Sequence, residues 1–160
     1  MAPGTQWLLG VTTVACGLVA GVWFAFSSFV TQGLDRAYAR AAVTAMQGIN
    51  KTAVGPVFML AFLGTALLCV AVVVWGGLNW SEARAKLAIA GSLLYLGGTF
   101  VVTMAANVPL NDRLERVDPR GGDVARAWQD YVGPWLAWNH VRTVTAIAAF
   151  ALLLVAVVRD

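Results

Sequence analysis

The sequence predicts an all-α integral membrane protein, a four-helix bundle with an interfacial helix in its first loop and a short helix in its third. Three observations carry that prediction. Hydrophobic residues make up 59% of the 160 and charged residues 12%, and the mean hydropathy is +0.73, a balance foreign to soluble domains. Four apolar stretches, residues 7–31, 56–75, 87–106 and 141–158, match the roughly 20 helical residues needed to cross a hydrocarbon core about 30 Å thick. Trp7, Trp75, Trp80, Trp135 and Trp138 fall near the ends of those stretches, as indole rings that favour the headgroup level do. One membrane domain, residues 1–160, accounts for the length.

Taken in order, the first span lacks a basic leader and is too long for a signal-peptide core, so it is expected to stay in the protein. It ends in FSSFVTQ, where Ser27 and Ser28 are placed to bond a helix turn behind them and Phe24, Phe26 and Phe29 are open to two readings, packing or pocket wall. The connection LDRAYARAAVTAMQGINKTAV sets Leu34, Tyr38, Ala42, Met46 and Ile49 at helical spacing, the pattern of a helix lying at the interface. Pro56 suits the first turn of the second span, and Gly76–Gly77 reads as its stop. A short link, residues 77–86, leads to the third span.

The third span ends in NVPLN. Pro109 removes an N–H and disfavours helix at Val108, which predicts a broken backbone there. Asn107 and Asn111 either cap that end or turn inward. The charged connection that follows holds DPRGGD, a turn signal, and a short helix ending near Trp135. The fourth span is short, so its helix is expected to begin before Val141, inside WLAWNHVRT. Gly17, Gly21, Gly91, Gly97 and Gly98 allow neighbouring helices to approach closely.

Several function classes drop out. A net charge of +3 gives no footprint for nucleic acid. Cys16 and Cys69 lack dithiol spacing and read as small buried hydrophobes. The spans carry no carboxylate of the kind that couples proton-driven transport. His140 is the single histidine, too few for a bis-histidine haem, and no H-E-x-x-H or Cys/His cluster is present, so no dedicated metal or cofactor site is expected. Arg36, Arg40, Lys51, Arg113, Arg116, Arg120 and Arg126 outnumber Arg84, Lys86 and Arg159 across the chain, which places the long loops of a multi-pass cell-membrane protein in the cytoplasm.

Counting crossings puts FSSFVTQ, Asn50, NVPLN and WNHVR on one side of the membrane. Within WLAWNHVRT, Trp135, Trp138, Asn139 and Arg142 share a helix face, while His140 lies roughly 200° from Arg142 at 100° per residue. Arg142 and Asn139 therefore pair, with Arg142 open to two readings, a snorkelled anchor or a functional cation, and His140 reads as a headgroup-level residue.

The motifs GVWFAFSSFV, AMQGIN, NVPLN and YVGPWLAWNHVRT together resemble the anthrone oxygenase-like family of small four-helix membrane proteins. On that resemblance Asn50, Asn107, Pro109, Asn111, Trp138, Asn139 and Arg142 hold the family's marked positions, and His140 does not. The resemblance implies oxidation of a lipophilic polyketide-type anthrone to an anthraquinone by O2, with no cofactor. Arg142 would stabilise an enolate oxygen, and Asn107, Asn111 and Asn139 would orient it. Trp138 and Phe24 would stack on the rings, Ser28, Asn50 and Trp135 would complete the binding set, and His140 would be the one conventional base. The chain departs from an acid–base enzyme in having no carboxylate inside the bundle. Cyclisation or isomerisation by the same oxyanion logic stays open, as does a non-catalytic protein that binds a lipid or small molecule or serves as an assembly subunit. Transport ranks after these. The expected partners are the bilayer and a lipophilic small molecule, with homo-oligomerisation undecided.

Overall fold

A computed structural model describes residues 3–159. Five helices form among them: α1 Pro3–Asp35, α2 Ala39–Ala53, α3 Pro56–Leu78, α4 Ala83–Glu115 and α5 Val124–Val158. The four longest are apolar and long enough to cross a membrane, and the chain is a multi-pass membrane protein by that measure. At 1.5 Å per residue, α1, α4 and α5 run about 50 Å, well beyond a hydrocarbon core of about 30 Å. α3, with 23 residues, only spans it. The overhanging ends of the three long helices and α2 make a cap over one end of the bundle.

Two apolar cores follow from this. The membrane core gathers Leu9, Cys16, Val19, Trp23, Phe62, Cys69 and Tyr95 with Ala146, Ala149 and Leu153. The cap core gathers Ala42, Val43 and Met46 of α2 with Leu114, Trp128, Tyr131 and Trp135. The inward face of α2 thus includes Ala42, Met46 and the partly buried Ile49, while Tyr38 precedes the helix and is exposed. α2 covers the bundle end, pinned by Gln47 Nε2, which donates to the carbonyls of Leu114 and Val117 at 2.9 Å each. Both carbonyls lie at the C-terminal end of α4, where intrahelical donors run out. On the far side of the cap, Trp128 Nε1 donates to Asp35 Oδ1 at 2.9 Å.

Several expectations are corrected by the backbone. NVPLN is not broken: α4 continues through it, because the turn before Pro109 widens. Residues Thr103–Asn107 form π turns, and Val108 N–H reaches back five residues to the Thr103 carbonyl, so the missing proline N–H falls at the start of the next α turn, where it costs little. The short helix expected in the third loop is the first part of α5 itself, running without interruption through Pro134. There Gly133 has no Cβ to crowd the ring, and Asp130, whose carbonyl loses its donor, is exposed to solvent. Gly76–Gly77 does not end α3, which runs on to Leu78. A Cβ on Gly76 would lie 2.6 Å from Ile89 Cγ1, so that glycine serves the close approach of α3 to α4.

Of the glycines expected at helix contacts, Gly17, Gly91 and Gly98 meet a neighbouring helix, whereas Gly21 and Gly97 face open space. Trp135 is buried instead of lying in an aromatic belt, and Trp75 packs on the membrane core. Cys16 and Cys69 are buried, as expected, but their sulfurs meet at 3.9 Å across α1 and α3, a proximity no sequence spacing announces.

Candidate functional site

One stripe of α5 builds the site. Trp128, Tyr131, Trp135, Asn139, Arg142, Ala146, Ala149, Leu153 and Ala156 are buried at intervals of three or four residues, the spacing of a helix seam that faces its partners throughout. The stripe is aromatic in the cap, polar in the middle and small in the membrane core. Its polar section coincides with the seam between the two cores.

At that seam lies a cavity of about 820 Å3, within the size range of small-molecule sites. All five helices contribute. Trp23 and Phe26 come from α1, Met46 and Asn50 from α2, Phe58 and Phe62 from α3, Thr103 and Asn111 from α4, and Trp135 and Arg142 from α5. Phe26 and Thr103 sit in π-helical stretches, Phe26–Val30 and Thr103–Asn107, where the extra residue per turn re-aims the side chains that follow. The aromatic walls pack edge-on and stacked: Trp23 meets Phe58 with ring centroids 5.7 Å apart at 82°, and Phe58 stacks on Phe62 at 6.1 Å.

Arg142 is 2% exposed. Its Nη2 donates to Asn139 Oδ1 at 2.8 Å and its Nη1 to Thr103 Oγ1 at 3.3 Å. The guanidinium carbon lies 3.9 Å from the Trp23 ring centroid and 5.2 Å from that of Trp135. Its buried Nε has no acceptor. The ion pairs among the described residues are Lys51–Glu115, Arg84–Glu82 and Arg126–Asp130, so no carboxylate answers this cation. Desolvating an ion costs several kcal/mol. Ring faces and an amide oxygen offset part of that, but none neutralises the charge.

Asn111 is oriented by its neighbours. Trp135 Nε1 donates to its Oδ1 at 2.8 Å, and the Tyr131 hydroxyl donates to the same oxygen at 2.9 Å. An indole N–H can only donate, so the amide oxygen is fixed on that side and the NH2 is left for the cavity. Asn50 Nδ2 is also buried without an acceptor. The cavity wall therefore offers donors from α2, α4 and α5, and no Asp, Glu or His lines it.

The remaining expected site residues stand behind or outside this wall. Asn139 is fully buried and makes three contacts that tie α5 to α1, with Arg142 Nη2, the Trp23 carbonyl at 2.9 Å and Ser27 Oγ at 2.8 Å. Asn107 is buried, donates to the Trp135 carbonyl at 3.1 Å, and leaves its Oδ1 unpartnered. His140 is exposed, on the opposite side of α5, with Nδ1 3.0 Å from Ser27 Oγ. Thr143 gives its proton to the Asn139 carbonyl, so the 2.8 Å contact of Ser27 with Thr143 uses the Ser27 proton. His140 Nδ1 must then be the donor toward Ser27.

Phe24, Ser28 and Trp138 do not line the cavity. Phe24 and Trp138 are exposed, and Ser28 bonds the Phe24 carbonyl at 2.7 Å. Trp138 is 60° from Trp135 on the wheel at 100° per residue, far enough round to leave the buried seam. The aromatic walls that sequence reasoning missed are Trp23, Phe58 and Phe62. A tryptophan well inside a span, away from the interface where indoles prefer to sit, was the available signal for Trp23.

Among the described residues no three His, Cys, Asp or Glu side chains come together. No curated protein matches the chain, and neither does any solved structure. Residues 53–152 match the profile of a family described as anthrone oxygenase, a stretch that begins at the last residue of α2 and contains the NVPLN and WNHVRT elements, with Asn111, Trp135 and Arg142 from the cavity wall. That match takes in more than half of the sequence, and the chain belongs to the anthrone oxygenase family.

Proposed function

We propose that the protein is a membrane-embedded tailoring enzyme that oxygenates a lipophilic, polyketide-type aromatic of the anthrone class with O2, without a dedicated metal or organic cofactor. The observation that carries this is the buried Arg142, with no carboxylate partner among the described residues, at the wall of an aromatic cavity that is also lined by the Asn50 and Asn111 amides and by no Asp or Glu. Such a site favours a flat ligand that carries negative charge on an oxygen when it reacts.

The chemistry balances as anthrone plus O2 giving anthraquinone plus water. Loss of one proton to solvent yields the enolate, whose oxygen lies against Arg142 and the Asn111 amide. The electron-rich ring carbon passes an electron to O2, the radical pair combines to a peroxide anion, and that anion takes one proton back from solvent to become the hydroperoxide. Loss of water from that hydroperoxide leaves the second carbonyl. Arg142 and the Asn amides lower the cost of the anion, and Trp23, Trp135 and Phe62 hold the rings and keep bulk water away. Behind them Asn139 and Asn107 position the wall. The same anion stabilisation would serve an isomerisation or cyclisation, in which O2 is not consumed.

A second reading, a non-catalytic protein that binds a lipophilic anion, draws on the lack of any Asp, Glu or His in the cavity wall. The basic residues of the long connections favour a cytoplasmic location for the cap of a cell-membrane protein.

Purified membranes supplied with anthrone under 18O2 distinguish these. The oxygenase yields quinone faster than protein-free membranes do, with one 18O in the new carbonyl, and Arg142→Ala and Asn111→Ala lose that excess while inserting normally. Turnover unchanged in both variants sinks the site, and anthrone bound without oxidation leaves the binding protein.

A further inference from the structure

A second concavity adjoins the first. It is an apolar groove of about 480 Å3 between α1 and α3, at the turn from α2 into α3. Val22, Thr52 and Phe58 belong to both the groove and the cavity, so the two share a wall and the Phe58 ring stands between them. The rest of the groove is Leu18, Val19, Val57 and Ala61 with the Gly55–Pro56 turn, and no charged residue lines it. Leu18 and Val57 are exposed, as is Leu60 one residue before Ala61. That surface belongs to spans and faces lipid.

Four other boundaries are packed or bonded, while on the α3–α4 side Met59 and the exposed Met104 line the cavity itself. α4 and α5 touch at Gly98, where the Thr145 side chain fills the space of a Cβ, and Thr99 bonds Thr145 at 3.2 Å. α1 and α5 are joined through Asn139. α2 is tied to α4 by Gln47 and by the Lys51–Glu115 pair, and the cap core stands over the remaining end. Between α1 and α3, no side-chain hydrogen bond forms among the described residues apart from the Cys16–Cys69 contact deeper in the bundle.

We infer that the α1–α3 groove admits a neutral, bilayer-dissolved aromatic ligand sideways into the cavity, past Phe58. The inference rests on the cavity taking a lipophilic ligand, but not on any reaction there. Bilayer access fits the chemistry of the walls: an uncharged flat molecule crosses a surface of aliphatic side chains with no polar group to lose, and meets donors only inside. An ionised molecule arriving from water would instead have to pass the buried cap.

The test uses the full chain in liposomes, in a Cys16→Ala/Cys69→Ala background, with Met59→Cys as the reporter, since Met59 lines the cavity and not the groove. Pyrene maleimide, which dissolves in the bilayer, should label this thiol much faster than a sulfonated, water-soluble maleimide. Filling the groove with Ala61→Trp, or with Leu18→Trp should that variant not insert, should slow pyrene labelling at least tenfold. Pyrene labelling unchanged by either tryptophan, labelling by the water-soluble reagent alone, or no labelling by either would each overturn the inference. Lack of anthrone oxidation by the wild type, with the labelling pattern intact, would instead count against the oxygenase alone.

Discussion

The guanidinium of Arg142 lies face-on to the Trp23 indole, 3.9 Å from its centroid, in a place that is 2% exposed and has no carboxylate. The pair joins α5 to α1 across the seam between membrane core and cap. A cation held by ring faces and amides keeps its charge available to a ligand, which a salt bridge would have spent.

Arg142→Met keeps the length of the side chain and removes the charge. Loss of a preorganised donor to an oxyanion lowers turnover by about 10²–10³-fold. Replacing an unpaired buried ion by an apolar group is often neutral or stabilising, so thermal unfolding in detergent should occur at the same temperature or higher. A large fall in thermal stability with turnover retained would reassign Arg142 to holding helices together.

Asn111→Asp and Asn111→Leu separate two jobs of one side chain. The aspartate still accepts from Trp135 and Tyr131 but has no N–H for the cavity, and it adds a charge that repels an anion. It should fold and lose anthrone affinity more than tenfold in a fluorescence titration. The leucine strands two buried donors and should cost about 1–3 kcal/mol in stability. Equal affinity in Asn111→Asp and the wild type would remove the amide from the site.

His140→Ala should leave turnover within the same order of magnitude, with an unchanged pH profile. A general base contributes typically about 10²–10⁴-fold, and His140 faces away from the cavity with its Nδ1 proton directed at Ser27. A loss on that scale would show that the imidazole reaches the ligand.

Gly98→Ala places a methyl group where the Thr145 side chain already sits, and overpacking of that kind costs about 1–3 kcal/mol. Gly97→Ala meets nothing within 4 Å and should be neutral. Resistance to unfolding by a denaturing detergent compares the two, and equal behaviour would mean that α4 and α5 are free to separate.

Much of the site was legible. Spacing pairs Asn139 with Arg142, and both are buried together; the motifs also contain Asn111, Trp135 and Asn50, which line the cavity. Phe24, Ser28 and Trp138 were drawn from the same motifs yet point elsewhere, because a motif marks a stretch of chain while each side chain's direction depends on the local winding. The π turn at Phe26–Val30 shifts that winding at Ser28 by about one residue, which ideal-helix arithmetic cannot include, whereas Phe24 and Trp138 lie in regular α turns, next to Trp23 and 60° round from Trp135. The break expected at Pro109 is absent for a similar reason, and Pro134 lies inside α5 without ending it. Both the widened turn and the solvent exposure that rescue the backbone are features of the folded chain.

Hydropathy and length alone determined four spans, their order and the side on which the polar motifs gather, since transfer of apolar residues from water is a local sum along the chain. Only the tertiary structure decided that Trp23, Phe58 and Phe62 form the cavity wall, that Arg142 has no counterion among the described residues, and that a groove opens between α1 and α3. Each of these depends on which faces of separate helices meet. In a bilayer, where lipid is as apolar as the helices, that is settled by close packing and by the few polar groups that must find partners.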